Sequence, residues 1–379
     1  MKMHQMGERL FAQILGILAL CLGPHDLLAQ NTFVETDLVS DINGRAKFTD
    51  PNLVNPWGIA FSATSPFWIA DNGNGLSTLY NTSGTPQALV VSIPLPTGEP
   101  AAPTGQVFNG GAAFNADRFI FATENGTING WRGTLGTTAE TLFNRSTANS
   151  VYKGLAISNV GTSTYLYAAD FHNNHIDIFP SAAAPTLSGS FVDPTLPSGY
   201  APFNIQNLGG QLYVTYAKQD AQAHDEIAGA GNGYVSVFDL NGNFVRRLAS
   251  GGALDAPWGV AIAPAGFGAF GGDLLIGNFG DGTINAYNLA TGAWIDTLRG
   301  FGGAPLEIDG LWGLAFGNGG SGGRTDTLYF TAGIDDEAHG LFGSIAPVPE
   351  PSTVFAGFAL IGLCVNAIWK RSRRIGLAA

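Results

Sequence analysis

Four histidines stand in the body of this chain, each in a short polar stretch. His172 and His175 belong to Asp170-Phe171-His172-Asn173-Asn174-His175, His224 precedes Asp225-Glu226, and His339 follows Glu337-Ala338. Acids gather in comparable stretches, among them Asp71, Glu124, Asp220, Asp281, Asp335 and Asp336. Carboxylate, amide and backbone oxygens suit Ca²⁺, and an added imidazole suits a transition metal. Asp170, His172, His175 and Asp281 are therefore candidate metal ligands, for Ca²⁺ or another divalent cation. Asp220, His224, Asp225, Glu226, Asp335 and His339 are candidate ligand-binding residues. The stretch from Lys218 to Gly233 is the longest of these connections, and long ordered loops are often functional. The same residues have a second reading: turns at strand ends are wet and take Asp, Asn and Gly for their geometry. The sequence leaves both open.

Several other chemistries find no support. Gly229 to Gly233 lacks the Lys-Ser/Thr and following helix of a phosphate loop. No Gly-x-Ser-x-Gly elbow precedes a helix. Nucleic-acid binding is disfavoured by a pI of about 4.8, because phosphate needs a basic face. Both cysteines, Cys21 and Cys364, lie near the ends, so residues 31–346 contain no disulfide and no cysteine metal site. That stretch carries 11 Lys and Arg against 26 Asp and Glu. Such acidity serves cation binding or solubility.

What must position these turns is a repeat. Asn55-Pro56-Trp57-Gly58-Ile59-Ala60, Lys153-Gly154-Leu155-Ala156-Ile157, Pro257-Trp258-Gly259-Val260-Ala261-Ile262 and Leu311-Trp312-Gly313-Leu314-Ala315-Phe316 are alike, with weaker members near Gly105 and Pro202. Each unit continues into a second apolar run ending in a polar turn, such as Phe67–Asp71 or Leu274–Asn278. The fifth unit divides into four short strands, 258–263, 273–278, 283–288 and 293–298, with Gly or Thr-Gly turns between them. Asn241-Gly242 marks a hairpin in the fourth. Six units of four strands predict an all-β, six-bladed propeller. The sixth unit lacks an outer strand, and Phe33–Ser40 has no partner upstream of the first. The N-terminal strand is thus expected to close the last blade and cover its open edge. Trp57, Trp258 and Trp312 read as packing anchors between blades.

As a whole, residues 33–345 resemble a family of uncharacterised bacterial secreted propellers. The likeness rests on Asn55 to Ala60, Glu124-Asn125-Gly126-Thr127-Ile128, Asn278-Phe279-Gly280-Asp281-Gly282-Thr283 and Glu337-Ala338-His339-Gly340; the units also resemble NHL-type repeats more loosely. This resemblance implies the fold and no activity.

The ends point to export. Residues 1–30 read as a signal peptide: Lys2 and Arg9, then an apolar Leu10–Leu22, then Ala29 near the expected cleavage. At the other end stand Pro349-Glu350-Pro351, an apolar run from Thr353 to Trp369, and Lys370-Arg371-Ser372-Arg373-Arg374. This order resembles the PEP–CTERM sorting signal of Gram-negative bacteria. The resemblance implies processing by an exosortase-type enzyme near the tripeptide, after transient anchoring in the inner membrane by the C-terminal helix. The basic cluster should stay cytoplasmic. The expected organisation is a signal peptide (1–30), a propeller (31–346) and a sorting signal (347–374).

The functional expectation is an exported, non-enzymatic propeller on the cell surface or in the extracellular matrix. Its acidic face would bind a protein, an exopolysaccharide or an ion, and no nucleic acid. The alternative is a metal-dependent hydrolase or lactonase with its site over the central channel. Lactonase-like propellers resemble sites with a carboxylate early in the first strand, where this chain has Asn55-Pro56-Trp57.

Overall fold

The computed structural model describes residues 31–348. The expected signal peptide and the sorting-signal residues Pro349, Glu350, Pro351, Arg371, Arg373 and Arg374 lie outside that range. Among the described residues, no helix is long and apolar enough to cross a membrane.

The chain opens with β1 (Phe33–Ser40) and β2 (Phe48–Thr49). Blade 1 follows with β3 (Pro56–Ala60), β4 (Phe67–Asp71), β5 (Leu76–Tyr80) and β6 (Val91–Ser92). Blade 2 holds β7 (Pro103–Phe108), β8 (Phe119–Thr123), β9 (Thr127–Trp131) and β10 (Glu140–Asn144). Blade 3 is β11 (Tyr152–Val160), β12 (Ser163–Asp170) and β13 (His175–Pro180). Blade 4 is β14 (Tyr200–Leu208), β15 (Gln211–Lys218), β16 (Gly233–Phe238) and β17 (Phe244–Ser250). Blade 5 is β18 (Pro257–Ile262), β19 (Leu274–Asn278), β20 (Ile284–Tyr287) and β21 (Trp294–Thr297). Blade 6 contributes β22 (Leu311–Phe316), β23 (Leu328–Ala332) and β24 (Leu341–Pro347).

The ring closes as the unpaired N-terminal strand requires. In the last sheet the order is β2-β1-β24-β23-β22, with β1 antiparallel to β24 from Phe33↔Pro347 to Ser40↔Leu341. Phe33 and Val39 are buried against blades 5 and 1 respectively. Phe33 packs on Phe267 and Phe270, at centroid distances of 4.9 and 5.9 Å. Second strands such as β4 and β8 are buried at every position. They are covered by neighbouring blades on both faces, hence their unbroken apolar sequences rather than alternating ones.

One expectation fails. Blade 3 has three strands, not four. Residues 181–199 cover its outer edge irregularly, because Pro185, Pro194 and Pro197 cannot donate to a ladder. Phe191 pins the segment between Tyr167 and Phe238, with both centroids at 5.5 Å.

The closing strand yields a first prediction. Phe33→Ala should cost about 3–5 kcal/mol, whereas Val34→Ala, on the exposed side of the same strand, should stay within roughly 0.5 kcal/mol. Urea unfolding of both variants checks this, and equal losses would contradict the closure.

Candidate functional site

The residues at the axis come from the repeat motif. Trp57 and Trp312 stack at 3.5 Å between ring centroids, and Trp258 meets both edge-on at 6.1 and 5.8 Å. Phe279 stacks on the free face of Trp312 at 4.1 Å. The three indoles thus anchor one another across the axis as well as their own blades. Each indole N–H has an acceptor. Asn55 Oδ1 takes those of Trp57 and Trp312 at 3.1 and 3.2 Å, and the Lys153 carbonyl takes that of Trp258 at 3.0 Å. The cluster is buried, so the axis is stoppered. Beyond it, towards the other end of the inner strands, lies an open cavity of about 550 Å³ lined by Ile59, Val107, Leu155, Val260 and Leu314.

Lys153 lies against this stopper. It begins the third repeat where the first, fifth and sixth have Trp, and it is 1% exposed. Its Nζ is 5.2 Å from the Trp57 ring centroid, in cation–π range. The ammonium donates to Glu124 Oε1 at 2.5 Å and to Asp225 Oδ1 at 3.1 Å. Glu124 is fixed from its other side by Asn72 Nδ2 at 2.9 Å. His224 Nδ1 lies 2.9 Å from Asp225 Oδ1. Glu226 and Glu337 complete the group, close enough for their charges to act on Lys153 and on each other. The result is an acidic dish with a closed aromatic floor, built from the turns of blades 2, 4 and 6 around one cation from blade 3.

The dish sets its own protonation. Burial alone would discharge Lys153, but Glu124, Glu226 and Asp225 outweigh it and hold the ammonium above its ordinary range. It is therefore a fixed charge and no proton carrier at neutral pH. Burial also opposes the Asp225 charge, yet Lys153 and His224 pull its pKa down. Glu226 is pushed up by burial, with Lys153 opposing. Glu337 is pushed up to about 7 by burial and by the charges of Glu226, Glu124 and Asp225. Its backbone is unusual too. Asp335, Asp336 and Glu337 are consecutive left-handed residues, with φ of 56°, 52° and 64°, a conformation that disfavours side chains with a Cβ.

The residues expected from sequence do not all converge on the dish. Asp225, Glu226 and His224 are in the dish, and Asp220 shapes their loop by accepting the backbone N–H of His224 at 2.9 Å. His172 faces that loop, its Nδ1 3.2 Å from the Ala223 carbonyl. Asp170 and His175 meet Asp177 at the edge of blade 3, where His175 Nε2 lies 3.1 Å from Asp177 and 3.9 Å from Asp170. Asp281 closes its own turn on Thr283. Asp335 is exposed, and its N–H is held by Asp309. His339 pairs with Asp41 beyond the closing strand at 2.8 Å, and that hydrogen bond raises its pKa. Two sets could each gather three ligand atoms around an ion: Glu124, His224 and Asp225; and Asp170, His175 and Asp177.

The sequence places Glu124 and Glu337 among the turn acids without giving either a role, and nothing in it singles out Asn72. Lys153 was detectable, as the one charged residue to replace Trp in the aligned repeat motifs.

No protein-family model matches the chain. It is 35% identical over 344 residues to the uncharacterized protein L690 of Acanthamoeba polyphaga mimivirus, covering 85% of this chain and 87% of that one. It is also 35% identical over 327 residues to the uncharacterized protein R648 of the same virus, covering 81% and 78%. Among solved structures, a glucose dehydrogenase superposes with a TM-score of 0.52 at 14% identity, covering 83% of this chain and all of that one. That likeness extends to the fold.

The raised Glu337 pKa fixes a pH dependence. Between about 4.5 and about 7 the folded state holds a proton that the unfolded state has released, so stability falls as pH rises through that window. Glu337→Gln should be more stable than the parent at pH 8, by roughly 1–3 kcal/mol, and equal to it near pH 4. Urea midpoints across that range test the sign.

Proposed function

We propose, for a chain that belongs to the same family as the mimivirus proteins L690 and R648, that it is a binding propeller whose axial dish holds a divalent cation. The observation that carries this reading is the convergence of Glu124, Asp225, Glu226 and Glu337 on a single buried ammonium. Four carboxylates against one fixed positive charge leave an excess that a cation can neutralise. The imidazole of His224 beside Asp225 favours a transition ion over Ca²⁺, and Mn²⁺, which also accepts carboxylate oxygens, serves as the paramagnetic probe for such a site. The closed floor suits a ligand that rests on the face rather than one that passes through.

The wider reading is an exported protein, displayed at the cell surface or in the matrix after exosortase-type processing. It is supported by the sequence pattern at residues 1–30 and 347–374. The partner we propose is a matrix protein or an acidic exopolysaccharide, whose anionic groups could be bridged to the dish by the bound cation. One observation favours the hydrolase alternative: a carboxyl near pKa 7, as Glu337 has, suits general acid–base work.

The test is Mn²⁺ binding by electron paramagnetic resonance. Saturable binding should weaken at least tenfold in the Glu226→Gln, Glu337→Gln double variant, and also in the parent as pH falls below about 7 and Glu337 takes up its proton. Binding that is absent, or equal in parent and variant, would overturn the axial reading.

A further inference from the structure

A second group of oxygens lies inside blade 1, away from the dish. Asp71 ends β4 and is fully buried, and neither of its carboxylate oxygens has a hydrogen bond of good geometry, Thr78 being the nearest donor. Ile69 pairs with Thr78 across β4 and β5, so the two-residue alternation of a strand puts Asp71 and Thr78 on one face. Thr78 Oγ1 is also buried and makes no hydrogen bond of good geometry. In the turn joining the two strands, Asn74 gives its amide to the Asn52 carbonyl at 2.8 Å and leaves Oδ1 without a donor. Beside them is a second buried carboxylate, Asp50. It accepts the Tyr80 hydroxyl at 2.9 Å and the Asn52 N–H at 3.0 Å.

The other blades show how unusual this is. At the matching end of the second strand, Thr123 of blade 2 exchanges a 2.8 Å hydrogen bond with Thr127. Asp170 of blade 3, equally buried, accepts the N–H groups of Val151 and Asn173 at 3.2 and 3.1 Å. In blade 5 the matching Asn278 also leaves a buried Oδ1 without a partner, but as a neutral amide, whereas in blade 1 the group so placed can carry charge. A buried carboxylate in that state is relieved by a proton, a buried water or a cation.

We propose that Asp71, Thr78, Asn74 and Asp50 hold a hard divalent cation, Ca²⁺ by preference, inside blade 1. Every available donor is oxygen, and two carboxylates match a double positive charge. Those are Ca²⁺ preferences, whereas the dish adds an imidazole. The ion would tie the β4–β5 hairpin to the segment that follows β2, and so brace the junction between the first blade and the closing strand. Without the ion, burial drives the Asp71 carboxyl well above the ordinary range, with Thr78 opposing. A proton is therefore one competing occupant.

The experiment uses the full chain, stripped with a chelator and titrated with Ca²⁺ while thermal unfolding is followed. At a hundred times the dissociation constant, the midpoint should rise by roughly 5 °C. That rise should disappear in Asp71→Asn and shrink in Thr78→Val, which removes one donor and keeps the side-chain shape. It should persist in the Glu226→Gln, Glu337→Gln variant, which separates this site from the axial one. Tb³⁺ offers an independent readout, its emission sensitised through Tyr80 and lost in Asp71→Asn. Absence of any Ca²⁺-dependent rise would overturn the proposal and leave Asp71 to a proton or a buried water. A rise that survives Asp71→Asn, or that vanishes with the axial variant, would overturn it equally. Should Asp71→Asn fail to fold, Thr78→Val decides: an undiminished rise refutes the site.

Discussion

Six inner strands can share one axis only if neighbouring backbones come closer than Cβ atoms normally permit. At one register position around the ring, five of the six innermost strands carry glycine: Gly58, Gly105, Gly154, Gly259 and Gly313. A Cβ on Gly105 would lie 2.3 Å from the Leu155 nitrogen, and one on Gly313 would lie 2.5 Å from the Trp57 carbonyl oxygen. The exception is blade 4, where Asn204 occupies the position and its amide bridges to the Trp258 carbonyl at 2.8 Å. The glycine of each Trp-Gly pair thus sets the radius of the ring. The preceding tryptophan then fills what remains of the axis.

That close approach determines the chemistry above it. Because the stopper beneath Lys153 is apolar and packed, its ammonium finds its neutralising partners on the turn face. Asn55 joins the two layers. Its Oδ1 accepts from two indoles, and its Nδ2 reaches Asn72 at 3.3 Å, which in turn grips Glu124. An exposed ion pair would be worth little. A buried ammonium cannot be left unpaired without large cost, so Glu124 and Asp225 are committed to it. Burial raises the pKa values of Glu226 and Glu337, and the pull of Lys153 does not offset it, whereas at Asp225 Lys153 and His224 outweigh burial and the pKa falls.

Much of the fold was legible because it repeats. The Trp-Gly motifs marked the inner strands, and the missing outer strand of the sixth unit identified the role of Phe33–Ser40 within the described residues. Blade 3 broke the pattern through prolines whose effect depends on the edge they meet. The site was harder to read, since a strand-end Asp looks the same whether it caps a turn, as Asp281 does, or is buried without a well-placed donor, as Asp71 is. His339 sat in a matching turn, yet its partner Asp41 is 298 positions away, a pairing created only by ring closure. Lys153 was visible as a departure from the motif. Its significance depended on knowing that the tryptophans it replaces converge on the axis.

In a repeat architecture, then, chemistry is found where a blade departs from its siblings, and the departure must be held against its own cost. The left-handed run from Asp335 to Glu337 illustrates this. Such backbone persists only when its surroundings leave no alternative. The run is preceded by Gly333 and Ile334, and a Cβ on Gly333 would fall 2.1 Å from Asn55 Oδ1, so the turn begins hard against the hub that binds two indoles. At its far end, the Gly340 N–H and the His339 ring are both held by Asp41. Fixed at one end by the stopper and at the other by the closing strand, the turn has little freedom to relax. Glu337 is consequently kept beside the other carboxylates despite their repulsion. The stopper and the closure, which stabilise the ring, are also what hold this strained acidic turn in place.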